Sequence, residues 1–252
     1  MDNHSRLTSA VLSAAALLPV VPPDLSGMLA VLKARQDQEP SRAAETEMTD
    51  EIAALFERYG PEIASQILMG QQPDTREMED KLLLILLVSL AGVATAAALR
   101  RAEAVGVPAS LDDINQAART WSRSYGYELV RGINETTRQA IADVMAQYHS
   151  TPGMTTADVS KLLETTFGRE RANRIAVTEI TRANTQAVNI AAQQMAGAGI
   201  TTSRQWITWR DDRVCPLCAP LHNTYEDVWT IEQPAGPPAH VTCRCWLALV
   251  RM

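Results

Sequence analysis

Cys215-Pro216-Leu217-Cys218 and His240-Val241-Thr242-Cys243-Arg244-Cys245 are the two stretches that decide the C-terminal fold. Tetrahedral zinc takes four nitrogen or sulfur ligands, commonly drawn from two chain segments. A Cys-x-x-Cys turn lets two sulfurs converge on one ion. The second stretch offers three more donors, with His240 three residues before Cys243 and Cys245 two after it. On a strand, Cys243 and Cys245 project from the same face, so either can serve. The set read first is Cys215, Cys218, His240 and Cys243, with Cys245 as the substitute for His240. Arg213 and Arg244 beside the sulfurs would favour thiolates.

Outward from these donors, residues 203–252 change texture from the rest of the chain. Residues 205–209 and 243–250 read as short strands, rich in Trp, Ile, Leu and Val. Between them lie turn residues and four prolines after Cys218, with no helical period. All four cysteines and four tryptophans, Trp206, Trp209, Trp229 and Trp246, fall here. About fifty residues bury little apolar surface alone, and a metal substitutes for a core. The expectation is a separately stabilised, β-hairpin-like module around a structural zinc. Disulfides are the alternative, but no convincing signal peptide accompanies them, and cytosolic disulfides are rare.

Upstream the chain reads as helices. From about Glu170 to Ala196, apolar residues at three- and four-residue steps (Ala172, Ile175, Ala176, Ile180, Ala183, Ala187, Ile190, Ala191, Met195) form one stripe. Thr155 or Thr156 caps a shorter helix ended by Gly168. Ser110 with Asp113 resembles a capping box, opening a helical region to about His149 with a possible break near Gly126 or Gly132. A long apolar helix from Asp74 or Thr75 ends at Gly106 and Pro108. Thr49 or Asp50 starts a helix that Gly60-Pro61 is expected to stop, and residues 36–50 read as a polar linker. The resulting fold class is mainly α, with a small zinc-stabilised β-containing module (α+β). The expected domains are an arm at 1–47, a helical domain at 48–150, and a third at 151–252 that carries the module.

Charge and composition exclude some functions. The net charge of −6 is concentrated in residues 1–99, which hold 7 Lys/Arg against 14 Asp/Glu. No segment has the basic excess that drives phosphate-backbone binding, so autonomous duplex binding is not expected. The acidic N-terminal half suits a protein partner instead. Residues 10–21 loosely mimic a signal peptide, but prolines follow directly, and a short docking helix is preferred. Leu82 to Leu99 carries no charge over 18 residues, the lower length bound for a membrane span. Its second half is Ala, Gly, Thr and Ser, which favours a helix buried on all sides by other helices. Membrane association is the alternative.

Other candidates are weaker. Thr178-Glu179, with Arg174 and Arg182 at neighbouring turns, could be an active-site face; the plainer reading pairs Glu179 with an arginine at i−5 or i+3. His222 is a remote zinc candidate and His149 an isolated polar group. Asp211-Asp212 shapes the turn into Cys215. The tryptophans could stack on bases, but without a basic groove they are expected to pack.

Three ordered motifs resemble the phage Mu protein F-like minor head proteins, the phage head-morphogenesis family. They are Arg171 to Ala183 around Thr178-Glu179, Trp209-Arg210-Asp211-Asp212-Arg213-Val214-Cys215-Pro216-Leu217-Cys218, and Pro237-Pro238-Ala239-His240-Val241-Thr242-Cys243-Arg244-Cys245-Trp246. The resemblance covers about residues 160–252. Val241 departs from a usual proline, and His222-Asn223 from an acidic-glycine pair, although Asn also tolerates positive φ. The resemblance implies a minor capsid component of the virion, with portal protein and major capsid protein as partners and packaged DNA as a further contact left open. It would act in procapsid assembly, packaging or ejection. It also implies that Arg174, Thr178, Glu179, Arg182, Trp209, Asp212 and Arg213 belong to a structural motif in which the Thr-Glu helix orients the zinc module. The rivals are a membrane-associated ejection protein and a transferase-type enzyme using Thr178-Glu179.

Overall fold

The computed structural model describes residues 41–106, 109–209 and 214–252. The signal-like residues 10–21 and the turn residues Asp211, Asp212 and Arg213 lie outside the described residues. Helix α1 spans Arg42–Leu68, capped by the Ser41 side chain, which accepts from the Ala44 amide at 3.2 Å. Helix formation therefore begins inside the stretch expected to be a linker. Met48, Ile52, Phe56, Tyr59, Ile63 and Ile67 recur on its buried side, and that stripe rewards continuing the helix. It also carries the helix through Gly60-Pro61, where a stop was expected. The bond lost at Pro61 is offset by burial of Ile63, Ala64 and Ile67 in the following turns.

Helix α2 (Arg76–Ala104) and helix α3 (Leu111–Ser150) follow. Ser110 accepts from the Asp113 amide at 3.2 Å, the N-terminal cap its sequence announces. Helix α3 runs without a break at Gly126 or Gly132. At Gly126 a Cβ would sit 2.8 Å from Leu87 Cδ2, so the missing side chain lets α2 and α3 approach closely. Helix α4 (Thr156–Phe167) starts with a full Thr155/Asp158 capping box, and helix α5 (Arg169–Gly197) follows Gly168 directly.

The expectation that α2 is buried on all sides is corrected. By length and composition this helix could cross a membrane, but only 33% of its apolar window is buried. Leu82, Leu86, Leu90, Ala94, Ala97 and Ala98 face the interior, while Leu84 and Val88 are 62% and 65% exposed. The buried residues recur at four-residue steps, the ridge that packs into grooves of neighbouring helices. Sequence hydropathy cannot distinguish the two faces, because both are apolar.

After α5 come β1 (Thr202–Ile207), a single 3-10 turn at Ala219–Leu221, α6 (Glu226–Glu232) and β2 (Trp246–Arg251). The strands are antiparallel, with Thr202 opposite Arg251 and Ile207 opposite Trp246. They pair across a long insertion that carries the donors, rather than through a tight hairpin turn. The C-terminal region is also not separately stabilised. Trp206, Trp229, Cys218, Cys243, Cys245, Leu247 and Leu249 share one hydrophobic cluster with Ala94, Ala97, Ala98 and Ala102 of α2, Ile114 and Ala118 of α3, and the second half of α5. The small alanines of α2 and α5, inconspicuous in sequence, allow this approach.

The two faces of α2 should answer mutation differently. Leu86→Ala, at 0% exposure, is expected to cost about 2–5 kcal/mol in urea unfolding. Val88→Ala should stay within about 0.5 kcal/mol.

Candidate metal centre

Two turns bring the donors together. In the first, the Cys218 and Ala219 amides both donate to the Cys215 carbonyl, at 3.1 and 3.0 Å. In the second, the Cys243 amide donates to the His240 carbonyl at 3.1 Å. His240 Nε2 lies 3.0 Å from Cys215 Sγ and 3.6 Å from Cys218 Sγ, and the Cys218 and Cys243 sulfurs are 3.9 Å apart. The donors form two overlapping groups, each within 4.8 Å: Cys215, Cys218 and His240, and Cys218, Cys243 and Cys245. All four cysteines are free thiols, three of them buried. All five donors picked out from spacing are thus brought together.

The electrostatics fit a cation. Burial raises the Cys215 thiol, but hydrogen bonds from Cys218 and from the Leu217 and Cys218 amides, with His240 nearby, bring it below its ordinary value. Hydrogen bonds from Cys218 and Cys245 hold Cys243 far below the thiol range, while the contacts with Cys243 and Cys245 push Cys218 up. Crowded sulfurs of this kind cannot all ionise without a positive charge among them. The hydrogen bond with Cys218 lowers the Cys245 thiol, but Cys243 and burial outweigh it and push the thiol up to about 12, opposed also by the Trp206 indole Nε1, which is buried without an oxygen or nitrogen partner among the described residues. A charged sulfur there would satisfy that donor.

Helix α5 holds the second turn through three threonines. Thr178 Oγ1 accepts from the Thr242 amide at 2.9 Å, Thr181 Oγ1 donates to the Cys243 carbonyl at 2.8 Å, and Thr185 Oγ1 donates to the Pro237 carbonyl at 2.6 Å. Thr242 adopts a φ of 60°, uncommon for a β-branched residue, and Asn223 adopts a φ of 64°. The Asn223 conformation matches the tolerance expected from its side chain. Thr181 and Thr185 were missed as site residues: their role is visible only once the threonines are set against the loop.

Glu179 is 5% exposed. It accepts from Tyr125 Oη at 2.7 Å, and Arg182 Nε lies 3.7 Å away, so the i+3 partner is the one realised. Tyr125 stacks on Trp121 and lies under the Arg182 guanidinium. Glu179 therefore ties α5 to α3. Arg174 is exposed, and its carbonyl accepts from Thr178 Oγ1. Trp209 packs edge-on against Trp246, with Arg42 and Arg244 over its ring, so α1 is joined to the C-terminal region. Arg244 thus stacks on an aromatic ring, where the sequence suggested a partner for the thiolates. Trp206 and Trp229 pack on each other. His222 stands apart from the donor groups, its Nδ1 accepting from the Thr208 amide at 3.0 Å.

Two variants test this geometry. Thr242→Asn keeps the amide and suits positive φ, and should raise stability by up to about 1 kcal/mol. Burial raises the Glu179 carboxyl against the opposing pull of Tyr125 and Arg182. The folded protein therefore holds this proton more tightly than the unfolded chain does. Its contribution to stability falls as pH rises from the ordinary value of 4.5 through the folded pKa. Glu179→Gln should remove that slope, gaining on the wild type in urea unfolding as pH rises from acidic to neutral.

Comparison with known families matches residues 128–248 to the family described as Phage Mu protein F like protein. No curated protein and no solved structure matches the chain. The matched region begins within α3, earlier than the motifs suggested, and takes in α4, α5, both turns that carry the Cys and His donors and part of β2. Over residues 128–248, then, this chain is similar to the family described as Phage Mu protein F like protein.

Proposed function

We propose that the protein is a structural phage head-morphogenesis protein, a minor capsid component that acts at the portal vertex during procapsid assembly, DNA packaging or ejection. The observation that carries this reading is the family match over residues 128–248. The donor cluster anchored to α5 by Thr178 and Thr181 supports a structural role for the motif. Its partners would be the portal protein and the major capsid protein, and its place the virion, after assembly in the host cytoplasm.

The resident ion in this reading is zinc. Its donors would be Cys215, Cys218 and Cys243, with His240 or Cys245 completing a tetrahedral shell. Bound there, zinc supplies no reaction step and joins two distant chain segments. Thr178 and Glu179 are engaged in the fold, Thr178 with the Arg174 carbonyl and the Thr242 amide, Glu179 with Tyr125. These bonds support positioning over transfer chemistry. The membrane reading would require Leu82, Leu86 and Leu90 to leave the core they occupy.

Native mass spectrometry is expected to find one zinc per chain. Chelation should lower Tm while leaving most helical circular dichroism intact. Co-expression with portal protein should yield a complex that co-purifies with the portal ring. Disulfide-paired cysteines would overturn the zinc assignment, failure to bind portal would overturn the vertex assignment, and flotation with liposomes would favour the membrane reading.

A further inference from the structure

We infer that Thr181 is a positioning residue of the metal centre: by fixing Cys243 from helix α5, its hydroxyl sets how tightly the donor cluster holds zinc. This rests on the reading that the cluster holds zinc through Cys243, whichever donors complete the shell. It goes beyond that reading by naming a determinant of affinity outside both donor-bearing segments. The two turns are held in different ways. The first is closed by its own backbone: the Cys218 amide donates to the Cys215 carbonyl, and the Leu221 amide donates to the Cys218 carbonyl, each at 3.1 Å. In the second, the Cys243 amide finds the His240 carbonyl, but the Cys243 carbonyl reaches outside the turn to Thr181 Oγ1 at 2.8 Å. Among the described residues no other group donates to that carbonyl. A residue held at both its amide and its carbonyl keeps only its side-chain torsion free. Cys243 Sγ then stands 3.9 Å from Cys218 Sγ, across the gap between the segments.

The Thr181 hydroxyl is committed to this bond. A helical threonine usually donates to a carbonyl of the preceding turn, as Thr178 does to Arg174 at 2.7 Å. A hydroxyl has one proton to give, so Thr181, in donating to Cys243, forgoes the local bond. Thr181 is 0% exposed and Cys243 1%. Water therefore does not replace a donor removed here, and the carbonyl is left with the full cost of an unmade bond unless the turn shifts. A shift of the turn carries the sulfur with it. The bond from the Thr242 amide to Thr178 is exposed, where water can stand in. Thr185 bonds the Pro237 carbonyl, three residues before the first donor of the segment. Of the three threonines that hold the loop, Thr181 alone bonds a donor residue directly.

Zinc affinity of the full-length protein, measured by chelator competition, tests this alongside urea unfolding with and without the metal. Thr181→Val should lose about 10–100-fold in affinity, the range for loss of an outer-shell partner. Thr181→Ser, which keeps the donor, should restore most of it. Thr178→Val should lose less than Thr181→Val. Should Thr181→Val lose its helical circular dichroism, Thr181→Ala is read in its place, because it removes the donor without setting a methyl against the carbonyl. A bond that serves the fold alone would weaken the metal-free and the zinc-loaded protein equally and leave affinity unchanged. That result, or a larger loss in Thr178→Val, overturns the inference while the zinc reading stands. If the wild type binds no zinc, the zinc reading fails and the inference with it.

Discussion

One helix carries two obligations in this molecule. Through Ala172, Ala176, Ile180 and Ala183, α5 packs into the helical core, and through Ala187, Ile190, Ala191 and Met195 it packs under the C-terminal strands. Thr178, Thr181 and Thr185 face the loop from Pro237 to Cys243, Glu179 faces Tyr125, and Asn173, Arg174 and Gln193 are exposed. A helix buried on so many sides has little room for polar groups unless each finds a partner. Here Thr178, Thr181, Thr185 and Glu179 find theirs in the donor-bearing loop and in α3. The site and the core are built from the same element, so neither can move without the other.

That arrangement explains the relation of the C-terminal region to the body. Fifty residues with two short strands would need a staple if they stood alone. They do not stand alone, because alanines on α2 and α5 let Trp206, Trp229 and Leu247 pack closely against the helices. The ion would then organise the irregular turns between the strands, while apolar contact holds the strands themselves to α5. Polar and apolar contributions are divided by segment.

Much of this was legible in the sequence. The spacing of Cys215, Cys218, His240, Cys243 and Cys245 named the donors, because metal geometry constrains spacing directly. Ser110 and Thr155 announced helix starts through their side-chain chemistry. What escaped was set by tertiary packing. The passage of α1 through Pro61 depends on burial of Ile63 and Ile67, which local propensity does not contain. The uneven burial of α2 was hidden because Leu84 and Leu86 are the same residue on opposite faces. Thr181 and Thr185 carry no signature by themselves, since a threonine on a helix usually bonds its own backbone.

Thr178 and Thr185 are seven residues apart on α5, a rise of about 10 Å along a helix. They grip the loop near its two ends, at Thr242 and Pro237. The helix therefore works as a ruler. Bending α5 shifts both grips together, and stretching it would mean breaking backbone bonds, so the loop's span is set by the pitch of a helix rather than by its own sequence. A loop gauged in this way can vary its outward-facing letters freely, and its donors would still arrive at the same separation.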